Sequence, residues 1–156
     1  MPDAPPARLR DVYLDSLYWI VRDLVLDMPG MERPRVVPVI LVHERQVDPP
    51  SLTLRAATCA PSHGWDADRR SAVGLLGYGV EGCDGPIGRV ADLIVDDARW
   101  NVRAVSVRAH APSGGTLTVP VLAVAALMAN QRRMVLRLDR AKLMRFRHPR
   151  AVEARA

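Results

Sequence analysis

The sequence predicts a mainly β protein: small antiparallel β-barrels in tandem, with one or two short helical turns. Three observations lead there. Short runs rich in Val, Ile and Leu recur between turn signals, most clearly over residues 78–138. Thirteen prolines and ten glycines in 156 residues leave little room for long helices. The two halves of the chain also echo each other, which is the mark of a repeated unit.

In chain order, residues 1–8 hold Pro2, Pro5 and Pro6 and are expected to be disordered. A first hydrophobic unit spans 9–60. Residues 61–72, polar and turn-rich, read as a linker. The second unit, 73–147, is the clearer one, and 148–156 form a basic tail. Within the second unit Tyr78–Glu81 reads as a short strand. Gly82-Cys83-Asp84-Gly85-Pro86 is a tight turn, with Asp84-Gly85 a strong hairpin signal. Ile87–Val95 is a strand and Asp96–Arg99 a second turn. Trp100, Val102, Ala104, Val105 and Val107 mark a third strand, and Pro112–Gly115 turns the chain again. Leu117–Leu122 and Met134–Leu138 are the fourth and fifth strands. Val124–Ala129 and Ala141–Arg145 are each long enough for one or two helical turns.

Laid on itself, the chain matches Asp15–Asp27 to Asp84–Asp96, with Val21 on Val90 and Leu24 on Leu93, an offset of 69. Further on, Val37-Pro38-Val39-Ile40 lies over Val119-Pro120-Val121-Leu122 at an offset of 82, where Leu54-Arg55 also meets Leu136-Arg137. The 13-residue difference predicts a first copy lacking a strand and turn equivalent to Ala98–His110. A missing strand leaves unpaired N–H and C=O groups along an edge. The second unit, the linker or another chain must then cover them.

Residues 76–97, from Leu76-Gly77-Tyr78-Gly79-Val80 through Asp84-Gly85-Pro86-Ile87-Gly88-Arg89-Val90-Ala91-Asp92 to Asp96-Asp97, and then Trp100-Asn101-Val102-Arg103, resemble the opening of a PRC-barrel domain. Val119-Pro120-Val121 resembles its later V-P strand. Met134–Lys142 resembles its closing segment, with Asp139 where Ser or Thr is usual. The resemblance covers about residues 74–145 and reaches 12–57 only through the repeat. It marks Tyr78, Asp84, Gly85, Gly88, Asp92, Asp96 and Trp100 as the structural motif. The family includes the cytoplasmic H subunit of photosynthetic reaction centres and a ribosome maturation factor, so the resemblance implies docking rather than catalysis. One departure is Arg108, basic where the family's strand ends on an acid. That weakens any acidic-patch role, such as proton delivery.

The motif residues also make physical sense alone. Gly85 suits a turn position with positive φ, and Gly88 permits a bend or close backbone approach. Asp84 is placed to bond its own turn. Asp92 and Asp96, four apart, share a face if the strand is straight. They read as backbone acceptors before they read as an acid–base pair. Trp100 is expected to cap the barrel.

No reaction chemistry assembles. His43, His63, His110 and His148 are not spaced for zinc with Cys59 or Cys83. No phosphate-binding loop or nucleophile elbow is present. No catalytic residue, metal or cofactor is therefore expected. Cys59 and Cys83 read as idle thiols, their pairing left open. No apolar run approaches the roughly 18 residues of a membrane helix, and nothing resembles a signal peptide, so the expected compartment is the cytoplasm.

Charge is uneven. Residues 1–78 carry nine basic and ten acidic groups; residues 79–156 carry thirteen and seven. Arg132, Arg133, Arg145, Arg147 and Arg150 are the candidate polyanion contacts. Phe146 is the one ring interleaved with them. The reading is a non-enzymatic interaction or scaffold module, docking on a protein or membrane-associated complex and self-associating as a dimer. The alternative is an RNA- or ribosome-associated assembly factor using the basic end.

Overall fold

A computed structural model describes residues 6–46, 51–54, 69–111 and 114–147, with backbone alone for 43–46 and 51–54. Expectations for residues 1–5, for Cys59, for most of the linker with His63, and for the tail with His148 and Arg150 lie outside the described residues. So does the side chain of His43. The protein is mainly β and divides into two compact units, residues 1–73 and 74–156.

Unit 1 contains β1 (Arg8–Asp15), β2 (Ile20–Asp27), β3 (Arg35–Pro38), β4 (Val42–Gln46), β5 (Ser51–Leu54) and β6 (Arg69–Ser71). Its antiparallel ladders run β6-β1-β2-β3, and β4 and β5 form a separate two-stranded sheet. Leu24, Val25 and Leu26 of β2 are buried consecutively, as in a strand covered on both faces. Leu14, Trp19, Val21 and Val37 complete this core. Residues 69–71, expected in the linker, are strand. They pair with Tyr13–Asp15 along the edge of β1.

A short helix, α1 (Ala72–Leu75), leads into unit 2. There follow β7 (Gly79–Gly82), β8 (Gly85–Asp96), β9 (Asn101–Ala109), β10 (Thr116–Pro120), β11 (Val124–Met128) and β12 (Arg133–Leu136), then α2 (Arg140–Leu143). The ladders run β11-β12-β7-β8-β9-β10. All are antiparallel except β12–β7, which is parallel because the chain keeps its direction from β10 to β11 through the 3-10 turn at residues 121–123. Among the described residues no ladder joins β10 to β11. The outer edge of β10 instead takes one bridge, Leu117 to Arg147. The sheet of unit 2 is thus an open run rather than a ladder closed on itself.

Its core is aliphatic: Val80, Ile87, Val102, Val105, Val107, Leu117, Val119, Met134, Leu136 and Leu143 are almost wholly buried. Each such side chain contributes roughly 1.5–3 kcal/mol when removed from water. Gly88 is what lets β8 close on β9. A Cβ there would lie 2.0 Å from the Arg108 carbonyl oxygen. Gly85 has φ +133, the left-handed side that the tight turn requires.

Two expectations are corrected. Val124–Ala129 is not helical; Val124–Met128 is strand β11, because it pairs with β12. The fourth strand stops at Pro120, where residues 121–123 turn as a 3-10 helix. Proline has no N–H to continue the ladder.

Asp15 and Asp96, 81 residues apart, each end the first strand of a hairpin, and the sequence offset of 69 does not superpose these two strand ends. Both hairpins carry the same two register shifts, Leu9/Asp11 and Tyr13/Leu14 against Val90/Asp92 and Ile94/Val95. Further along the spacing is 82: β4–β5 and β11–β12 shift register between Val42 and Glu44 and between Val124 and Ala126. In unit 2, β7 ties β12 to the main sheet, whereas β4–β5 stands apart from the main ladders of unit 1.

Candidate functional site

Asp15 and Asp96 organise the two hairpin turns. The Asp15 carboxylate accepts from the Leu17 and Tyr18 amides at 2.9 and 3.2 Å. The Asp96 carboxylate accepts from the Ala98 and Arg99 amides at 2.8 and 3.3 Å. These are Asx turns, which present one carboxylate to two successive donors. Trp19 and Trp100 close the turns at φ 57 and 55, a region bulky residues avoid. Trp19 is buried and Trp100 half-buried. The bond from the Ala98 amide chiefly holds the Asp96 carboxyl below its ordinary 3.8; loss of hydration opposes, and the Arg99 amide, Arg103 and Arg99 assist.

Asp92 bonds the Leu93 amide at 2.8 Å, and a register shift separates it from Asp96. The strand is not straight, and each carboxylate is engaged with its own backbone. Asp84 does not bond its own turn as expected; it accepts from the Arg140 amide at 3.0 Å and ties the β7–β8 turn to α2. Asp139 caps the same helix, accepting from the Lys142 amide at 2.9 Å. Asp serves there as Ser or Thr would. Tyr78 is buried beneath the Arg132 guanidinium, 5.2 Å from the ring centre.

No pattern of residues in the sequence signals the polar seam of unit 1. Asp23 is the one buried charged residue among those described. It meets Arg69 at 3.0 Å, with only 10% and 13% of the two side chains exposed. The contact is an ion pair whose angle falls outside a hydrogen bond at Asp23 Oδ2. Asp11 accepts from the Val12 and Val73 amides at 2.7 and 3.0 Å and from the Ser71 hydroxyl. These bonds fasten β6 to the hairpin.

The expected polyanion contacts do not form one cluster. Arg132 lies on Tyr78, and Arg133 pairs with Glu81. Arg145 and Arg147 are exposed at the last turn, and Phe146 is half-buried. Cys83 is an exposed free thiol, and His110 is exposed. Among the described residues no three His, Cys, Asp or Glu side chains stand together as metal ligands, and no helix is long and apolar enough to cross a membrane.

The most prominent apolar feature is a matched pair. After Pro38 and Pro120, whose φ and ψ agree within 2°, a 3-10 turn raises Ile40 and Leu122 into solvent. They are 84% and 87% exposed, more than any other large hydrophobic side chain described. No family model matches the chain, and no curated protein matches it.

Proposed function

We propose that the chain is a non-enzymatic docking module of the PRC-barrel type, built from two tandem copies of one β-unit, and that it self-associates in the cytoplasm. Support for the tandem reading is the shared pattern of register shifts, Asx turns and left-handed tryptophans at one spacing. Support for the non-catalytic reading is that Asp92 and Asp96 are engaged with backbone amides.

The observation that carries docking is the pair Ile40 and Leu122. A lone aliphatic side chain held in water by a short rigid turn gains nothing for the fold, and burying it against a partner yields roughly 1.5–3 kcal/mol. Two equal tips in one chain suit a contact between identical chains, where each surface serves both partners.

The test is sedimentation equilibrium of the full chain and of I40D/L122D. The wild type is expected to sediment above 17.2 kDa and the variant as a monomer with unchanged circular dichroism. A monomeric wild type, or a variant that associates equally well, would overturn the self-associating module.

A further inference from the structure

The ladders of unit 2 place Arg133, Gly79, Arg89, Arg108 and Thr116 side by side in one transverse row over five strands. Directly opposed residues point to the same face of a sheet. Here that face is the open one: Arg89, Arg108 and Thr116 are exposed, while Val90 and Val107, next along β8 and β9, are buried. With strands about 4.8 Å apart, three guanidinium stems rise along a line of about 14 Å.

Two features of this row are not explained by the fold. Arg89 and Arg108 stand directly opposite each other, an arrangement that costs stability because like charges repel across a ladder. Arg89 donates to the Gly77 carbonyl at 3.0 Å, and Arg108 has no carboxylate partner among the described residues. The acidic neighbours are taken: Asp92 by the Leu93 amide and Glu81 by Arg133. The second feature is Gly79, between Arg133 and Arg89. Its φ is not in the left-handed region, and a Cβ there would touch nothing nearer than 3.9 Å. Packing does not require glycine, yet its absent side chain leaves an open floor between two arginines.

We propose that this row is a binding site for the phosphodiester backbone of a nucleic acid. A line of guanidinium groups matches a line of regularly spaced single negative charges, and each fork can hold two phosphate oxygens. No aromatic residue belongs to the row, so it grips backbone without stacking bases. The site differs from the C-terminal run of arginines that the sequence singles out: it takes Arg133 from that run and joins it to Arg89 and Arg108 from other strands.

The test is fluorescence anisotropy of the full chain with a short labelled RNA of mixed sequence, across a salt series. R89A/R108A is expected to weaken binding at least about tenfold. It should also flatten the slope of log affinity against log salt by about 1.4, two single-strand contacts. G79V is expected to weaken binding with the fold retained. E81Q, which releases Arg133, is expected to tighten it about twofold to threefold. R108A should melt no lower than wild type, since it relieves a repulsion; a purely structural arginine would behave oppositely. Absence of RNA binding at low salt overturns the proposal, as does R89A/R108A binding like wild type. A loss confined to R145A/R147A also overturns it. So does a labelled polyglutamate peptide that binds as tightly as RNA and is lost equally in R89A/R108A, which would give the row to an acidic protein partner.

Discussion

Asp23 and Arg69 show how a single buried charge is tolerated. Asp23 sits in β2 between Tyr13 of β1 and Pro38 of β3, where water has little access. Its partner comes from β6, far along the chain. Removing water from either charge costs several kcal/mol, which their attraction offsets only while both are present. D23A is therefore expected to destabilise the protein by about 3–5 kcal/mol, because it takes from the largely buried Arg69 guanidinium the carboxylate it meets at 3.0 Å. D23L/R69M, which removes both charges and keeps bulk, is expected to come within about 1 kcal/mol of wild type. Urea unfolding of the two variants decides the matter; equal losses would mean the charges are not coupled. The pair was not legible in the sequence. Asp23 stands beside Arg22 and is an acid of the kind usually found at a surface, and Arg69 falls in a segment whose composition reads as linker. Only the return of β6 to β1 brings them together. Gly85 and Gly88, by contrast, were legible, because each has one dominant physical use.

At the scale of elements, the hairpin turns are where sequence and geometry agree best once the register is right. The sequence marks Asp96–Arg99 as a turn and Trp100 as special, and the structure adds that an Asx turn ends in a left-handed tryptophan. Asp, Val and Leu recur every few residues in both halves, so several alignments of the halves score alike. Backbone irregularities are not written in residue type and separate them only after folding. Val124–Ala129 is ambiguous for a related reason: a short apolar run without alternation fits a helical turn as well as a strand, and its ladder with β12 decides. The Asp96 turn also makes a pH prediction. Its carboxyl is held below 3.8 in the folded chain by the Ala98 amide first, so the unfolded chain takes up the proton before the folded one. The charge thus stabilises the fold above the ordinary carboxylate value, and that contribution fades as pH falls through the lower folded value. D96N keeps an acceptor in the turn and loses the charge. It is expected to melt below wild type at neutral pH, with the gap closing as pH drops below 3.8. Thermal melts through the acid range check this, and a gap independent of pH would remove the charge from the account.

For the whole molecule, the proposed common plan of the two units makes a prediction that separates the two registers. If the spacing of 81 reflects one inherited design, Ser16-Leu17-Tyr18 and Asp97-Ala98-Arg99 perform the same task between Asp15 and Trp19 and between Asp96 and Trp100. That task needs the amides of Leu17 and Tyr18 for the carboxylate, while their side chains are largely exposed. L17A/Y18R, which writes the side chains of Ala98 and Arg99 into the first turn, is then expected to change stability by no more than about 0.5 kcal/mol, as surface substitutions do. The spacing of 69 would instead permit S16G/L17P/Y18I/W19G, which writes the start of β8 into the same place. That variant removes the Leu17 amide that bonds Asp15 and the buried Trp19 ring that closes the hairpin. Loss of the ring alone costs about 3–5 kcal/mol. Denaturant unfolding of the two variants side by side should give a folded, near-wild-type protein for the first and a severely destabilised one for the second. Equal damage in both would mean that the hairpins match in backbone geometry without being interchangeable parts of one plan.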